Sequence, residues 1–142
     1  MIKMPRITHE RIRAISEKFI STAKEYFNVQ LTYDIEGLKQ ADKLLVDYFS
    51  RLKGKQDENL IASTILDFGC YFGETVIKNT KDAKWKLANH TLDSIIVVES
   101  ANKEKRLELK PFAIIAARLN KGVDPLDRIF VTFNKTIETK LK

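Results

Sequence analysis

The stretch LIASTILDFGCYFGETVIKNTKDAKW, Leu60 to Trp85, decides how this chain is read. From Leu60 to Ile77 it is nearly all apolar, interrupted by Asp67, Glu74 and a few small polar residues. A helix that is apolar on almost every side belongs inside a domain, with other elements packed about it. Gly69 and Gly73 lie four apart within it. Each costs about 1 kcal/mol relative to alanine in a helix interior, so close approach of a neighbouring backbone or a bulky ring must offset them. A break near Gly69 is the alternative. Trp85 carries the largest apolar area available, which makes it the natural ring to dock on the glycine face; the other reading is an exposed interface anchor.

Upstream, Thr8 can cap a helix running to about Phe27, with Ile12, Ile15, Phe19, Ala23 and Tyr26 as its dry stripe and Arg13 and Glu17 opposite. Asn28–Tyr33 lacks a period and reads as a connector. Asp34 caps a second helix that ends near Lys53, with Gly54 as the stop and Leu38, Ala41, Leu45, Tyr48 and Leu52 as its stripe. These two make a helical hairpin. A turn over Gly54–Gln56 follows, and Asp57 caps the central helix.

Downstream the period changes to two. Lys84–Leu87 alternates, Asn89–Asp93 is a turn, and Ile95–Val98 is a β-branched run suited to a central strand. Ser100–Glu104 turns the chain again and Arg106–Lys110 alternates, which predicts a three-stranded antiparallel meander with helices over one side. Pro111 opens a helix over Phe112–Asn120, closed by Gly122. Asp124-Pro125 opens a last one through Leu126, Ile129, Phe130, Phe133, Ile137 and Leu141. Helices and strands are segregated, so the expectation is one α+β domain over residues 1–142 and not a doubly wound parallel sheet.

The 142 residues, 44% hydrophobic and 31% charged, suit a soluble globular domain. The single cysteine, Cys70, has no internal disulfide partner and fits a reducing compartment. The amino terminus turns polar at once, unlike a secretory signal, and the apolar run holds two carboxylates and two glycines, which argues against membrane insertion. A cytoplasmic location is expected. The net charge of +6 divides into +4 over residues 1–56, −3 over 57–82 and +5 over 83–142. Such basic flanks permit weak attraction to nucleic acid, although acids interleave them throughout.

Four side chains of the central helix, Asp67, Tyr71, Glu74 and Lys78, fall on one polar strip. It is either the helix's solvent edge or the lining of a pocket or partner groove, with Glu74 bonded to a cation or a backbone N–H. Its two carboxylates stand about 10 Å apart along the axis, too far to share a proton. His9 and His90 match no metal-ligand spacing, and Cys70 has no activating partner, so no catalytic residue, metal site or cofactor is assigned. Lys84, Lys86, Arg106 and Lys110, with Lys103 and Lys105 in the turn, can form one basic sheet face, the best nucleic-acid candidate. It lacks the interleaved aromatics that a single-strand binder stacks on.

Gly69-Cys70-Tyr71-Phe72-Gly73-Glu74, then Trp85, then Pro111 before an apolar helix and Gly122-Val123-Asp124, resembles a pattern in small bacterial domains of uncharacterised function. The likeness spans roughly residues 60–130 and implies that Gly69, Gly73, Glu74 and Trp85 form the structural hub. With the absence of catalytic spacing, it favours a non-catalytic cytosolic interaction protein of regulatory, immunity or mobile-element accessory type, with a protein partner. A basic nucleic-acid-binding module is the alternative. An enzyme using Asp67 and Glu74 ranks last.

Overall fold

Nine consecutive residues of one helix, Phe68 through Val76, are buried, and the other elements gather about them. The computed structural model describes residues 7–52, 58–120 and 122–141. The order is α1 (His9–Phe27), α2 (Ile35–Leu52), α3 (Glu58–Asn79), β1 (Lys84–Lys86), β2 (Ile95–Glu99), β3 (Arg106–Leu109), α4 (Pro111–Leu119) and α5 (Leu126–Lys140), with a 3₁₀ turn at Thr91–Asp93. The fold is α+β: a helical hairpin and a central helix over a three-stranded antiparallel sheet of order β1-β2-β3, with two carboxy-terminal helices. The expected Lys53 end, Gly54 stop, Gly54–Gln56 turn and Asp57 cap lie outside the described residues.

α3 runs unbroken through both glycines. Its Phe68–Val76 stretch is buried all round because two apolar clusters flank it. In the larger, Phe68, Tyr71, Phe72 and Val76 meet Phe19 of α1, Leu38 and Leu45 of α2, Ile96 and Val98 of β2, Ile115 of α4, and Phe130 and Phe133 of α5. In the smaller, Cys70 meets Ile12 and Phe112. The first turns, including Ala62 and Ser63, remain wet, so the dry rod is shorter than its composition implies. By length and composition α3 is also apolar enough to cross a membrane; half of that window is buried within the fold.

Thr8 caps α1 through the Arg11 amide at 3.1 Å. Asn28, at φ 55°, ends the helix in the left-handed region and returns its N–H to the Ala23 carbonyl. The expected stripe holds at Ile12, Phe19 and Ala23 but fails at Tyr26, which is 73% exposed because the last turn overruns the core. Asp34 caps α2 by accepting the Gly37 N–H at 2.8 Å. Tyr48 and Leu52 lie outside the described side chains.

In the sheet, Lys84 pairs with Val97 and Val97 with Glu108, while Trp85 pairs with Ile96 and Ile96 with Leu109. Alternation therefore turns Trp85, Ile96, Val98, Leu107 and Leu109 inward. Lys84, Lys86, Val97, Glu99, Arg106 and Glu108 form the outer face.

Candidate functional site

The polar strip of α3 is neither a solvent edge nor the lining of one pocket. Tyr71 is fully buried and donates its hydroxyl to the Thr32 carbonyl. Burial, with the nearby charge of Asp34, raises its phenol above the ordinary range. Lys78 is exposed, with its ammonium 4.8 Å from the centre of the Tyr33 ring. The Tyr33 ring stacks on Tyr71 at 5.7 Å, and its hydroxyl shares a hydrogen bond of 2.8 Å with buried Ser16. Asn79 donates to the Tyr33 carbonyl at 2.8 Å. Together these fasten the α1–α2 connector, whose carbonyls would otherwise lack partners, to the central helix.

Glu74 faces elsewhere. At 7% exposure its carboxylate accepts the Trp85 indole N–H at 3.2 Å, where the sequence reading expected a cation or a backbone amide. Asp67 is half-buried in a surface groove of about 340 Å³ with Arg11 and Lys18 of α1. Burial raises its carboxyl above the usual range and Lys18 pulls it partly back. The strip's two acids thus serve different neighbours.

Three of the four hub residues meet directly, Trp85 lying on Gly73 and bonding to Glu74, whereas Gly69 takes Phe112. A Cβ built at Gly73 would overlap Trp85 Cζ2 and Cη2, and one built at Gly69 would stand 2.7 Å from Phe112 Cε1. The two rings lie 5.9 Å apart at 30°, side by side on a flat strip of helix. Their burial offsets the propensity cost of the glycines, since each ring removes far more apolar area from water than two methyl groups supply.

A second buried polar centre escapes the sequence reading. Asp42 of α2, 8% exposed, binds Arg118 of α4 in a two-pronged pair, both bonds 2.9 Å, and accepts the Leu126 amide at 3.1 Å. The same Arg118 donates to the Val123 carbonyl at 3.3 Å. Asp42 therefore supplies the start of α5 with an acceptor, the role expected of Asp124. Its signal lies in the spacing Leu38, Ala41, Asp42, Leu45: the acid occupies an apolar slot of a dry stripe. Gly37 was missed too; a Cβ there would strike the Thr32 carbonyl and the Tyr71 hydroxyl.

The basic residues assemble in part. Lys84, Lys86, Lys103 and Arg106 ring a concavity of about 590 Å³ on the outer sheet face, with Val97 between them and Asp82 and Glu99 on its border. Lys105 and Lys110 are exposed but do not line it. Ser100 and Asn102 fix the turn: the Lys105 amide donates to Ser100 Oγ at 3.1 Å and the Glu104 amide to Asn102 Oδ1 at 3.1 Å. Lys103 sits at φ 60° in that turn. Arg106 is tied to Glu108 at 2.7 Å, so the face is mixed in sign and not uniformly cationic.

Among the described residues no cluster of three or more metal-ligating side chains occurs, and His9 and His90 are exposed. Burial pushes the Cys70 thiol up to about 12, assisted by the charges of Asp67 and Glu74, which makes it a poor nucleophile. Compared with protein-family models, curated proteins and solved structures, the chain matches none. The Gly-x-aromatic-x-Gly-Glu pattern stands on its geometry alone.

Proposed function

We propose that the chain is a non-catalytic interaction protein of the cytosol, of regulatory, immunity or mobile-element accessory type, that meets a protein partner through the outer face of its sheet. One observation carries this reading. Tyr71 and Glu74 of α3 and Asp42 of α2 are engaged within the fold, and no buried side-chain nitrogen or oxygen among the described residues lacks a partner. The cations about Val97, by contrast, stand in water. The test is partner recovery by the full chain and by Lys84→Glu/Lys86→Glu, which should lose the partner while keeping its unfolding midpoint. A partner held equally by both would move the interface off the sheet.

A second reading, a nucleic-acid-binding module, draws on the same four cations. It requires binding that falls steeply as salt rises. No shift of DNA or RNA at low salt would remove it. Glu99, Glu108 and Asp82 around the concavity weigh against a phosphate backbone there.

A further inference from the structure

β1 is the outermost strand of the sheet, and among the described residues no strand pairs with its far side. An open strand edge presents unpaired backbone donors and acceptors, which another extended segment can satisfy. On the outer face the signs are not randomly placed. The acids of the strands belong to β2 and β3, as Glu99 and Glu108, Glu108 pairs with Arg106, and Asp82 stands in the turn before β1 at the rim of the concavity. Both outward residues of β1, Lys84 and Lys86, are exposed, and among the described residues neither forms an ion pair. The uncompensated charge is therefore concentrated along the open edge.

We infer that the segment this face takes from its partner is an acidic extended strand, added beside β1 with alternate carboxylates opposite Lys84 and Lys86. This rests on the interaction reading above and deepens it. Cross-strand pairs of opposite charge stabilise a sheet, and like charges opposite one another destabilise it. A second copy pairing β1 with β1 would set lysine against lysine, so the edge is guarded against itself while it favours an acidic guest. Nucleic acid fits less well: the one large ring nearby, Trp85, is half-buried, packed on Gly73 with its N–H taken by Glu74, and does not stand out from the sheet as a stacking platform. That same packing anchors β1 to α3, so the edge is already in place when a strand is added.

The probe is a short synthetic peptide alternating glutamate with threonine, titrated into the isotope-labelled full chain, with a lysine-for-glutamate peptide and oligothymidylate as controls. Expected are shifts confined to Lys84–Lys86 and Ile95–Glu99, slowed exchange of the β1 amides that point away from β2, and about tenfold or greater weakening in Lys84→Glu/Lys86→Glu. Shifts on the sheet face without slowed exchange would overturn strand addition and leave the interaction surface standing. Binding of oligothymidylate in place of the peptide would overturn the acidic guest and select the nucleic-acid reading. Silence at the sheet with every probe would sink both the inference and the surface it rests on.

Discussion

At the residue scale, the pairing of glycine with a large ring fixes what can be changed. Gly73→Ala should destabilise by about 2–4 kcal/mol in urea unfolding, although alanine is the better helix former by about 1, because a methyl there displaces the Trp85 ring. Trp85→Phe removes the only indole and leaves the Glu74 carboxyl without its donor, for a loss of about 2–4 kcal/mol. Glu74→Gln keeps an acceptor there and should cost less than about 1. Equal losses in the last two variants would show that the hydrogen bond carries little. Two aspartates should respond to pH with opposite signs. Asp34 is held below the ordinary carboxylate range by the Thr32 hydroxyl and the Gly37 amide, so its contribution is present above that range and lost as pH falls through its folded value. Asp34→Ala should cost about 1 kcal/mol at neutral pH and little in strong acid. Asp67 is raised by burial, so its contribution is full below the ordinary range and is lost as pH rises through its folded value. Asp67→Asn should therefore raise the unfolding midpoint at neutral pH, by less than about 1 kcal/mol given its exposure, and leave it unchanged in acid. The ring-on-glycine match was legible because it needs only a flat helix strip and the chain's one tryptophan. The inward turn of Tyr71 was not, since nothing local says that a hydroxyl will meet a connector carbonyl.

Between elements, Asp42 is the tie that spacing alone does not announce. Its partners lie 76 and 84 residues further along the chain, beyond the reach of any periodicity argument. Asp42→Ala should cost about 3–5 kcal/mol, since it leaves Arg118 half-buried without its counter-charge and the start of α5 without an acceptor. Replacing Asp42 and Arg118 together by leucines should cost clearly less, because no lone charge is then stranded. A double variant as unstable as Asp42→Ala would mean that packing at α2–α5, and not the charge, is what fails. Hydrogen exchange should show the same thing locally, with α5 amides opening ahead of α3 in Asp42→Ala. The helix and strand types were all readable from period and punctuation. The errors fall where the extent of the core, and not the local pattern, decides: Tyr26 at the end of a stripe lies past it, and the Leu126 amide meets an acceptor from another helix and not Asp124.

Across the whole molecule, the Phe68–Val76 stretch of α3 is closed in by the hairpin, the sheet and both carboxy-terminal helices together. Cys70 reports that closure. Its buried thiol, pushed up to about 12, should react with a disulfide reagent only through global opening, at a rate that rises with urea as unfolding does. Fast labelling indifferent to urea would mean that the central helix is reachable in the folded state. The α+β layout was legible at this scale, because segregated periods admit few arrangements. A role for the sheet's outer face was not, because exposed lysines serve solubility and recognition alike. The clasp at Asp42 also bears on synthesis. A ribosome delivers Asp42 long before Arg118 and the Leu126 amide exist, so the nascent α2 carries a hydrated charge on its otherwise dry side. Burying that charge alone is costly, so the dry side of α2 closes fully only once partners 76 and 84 positions downstream have reached it.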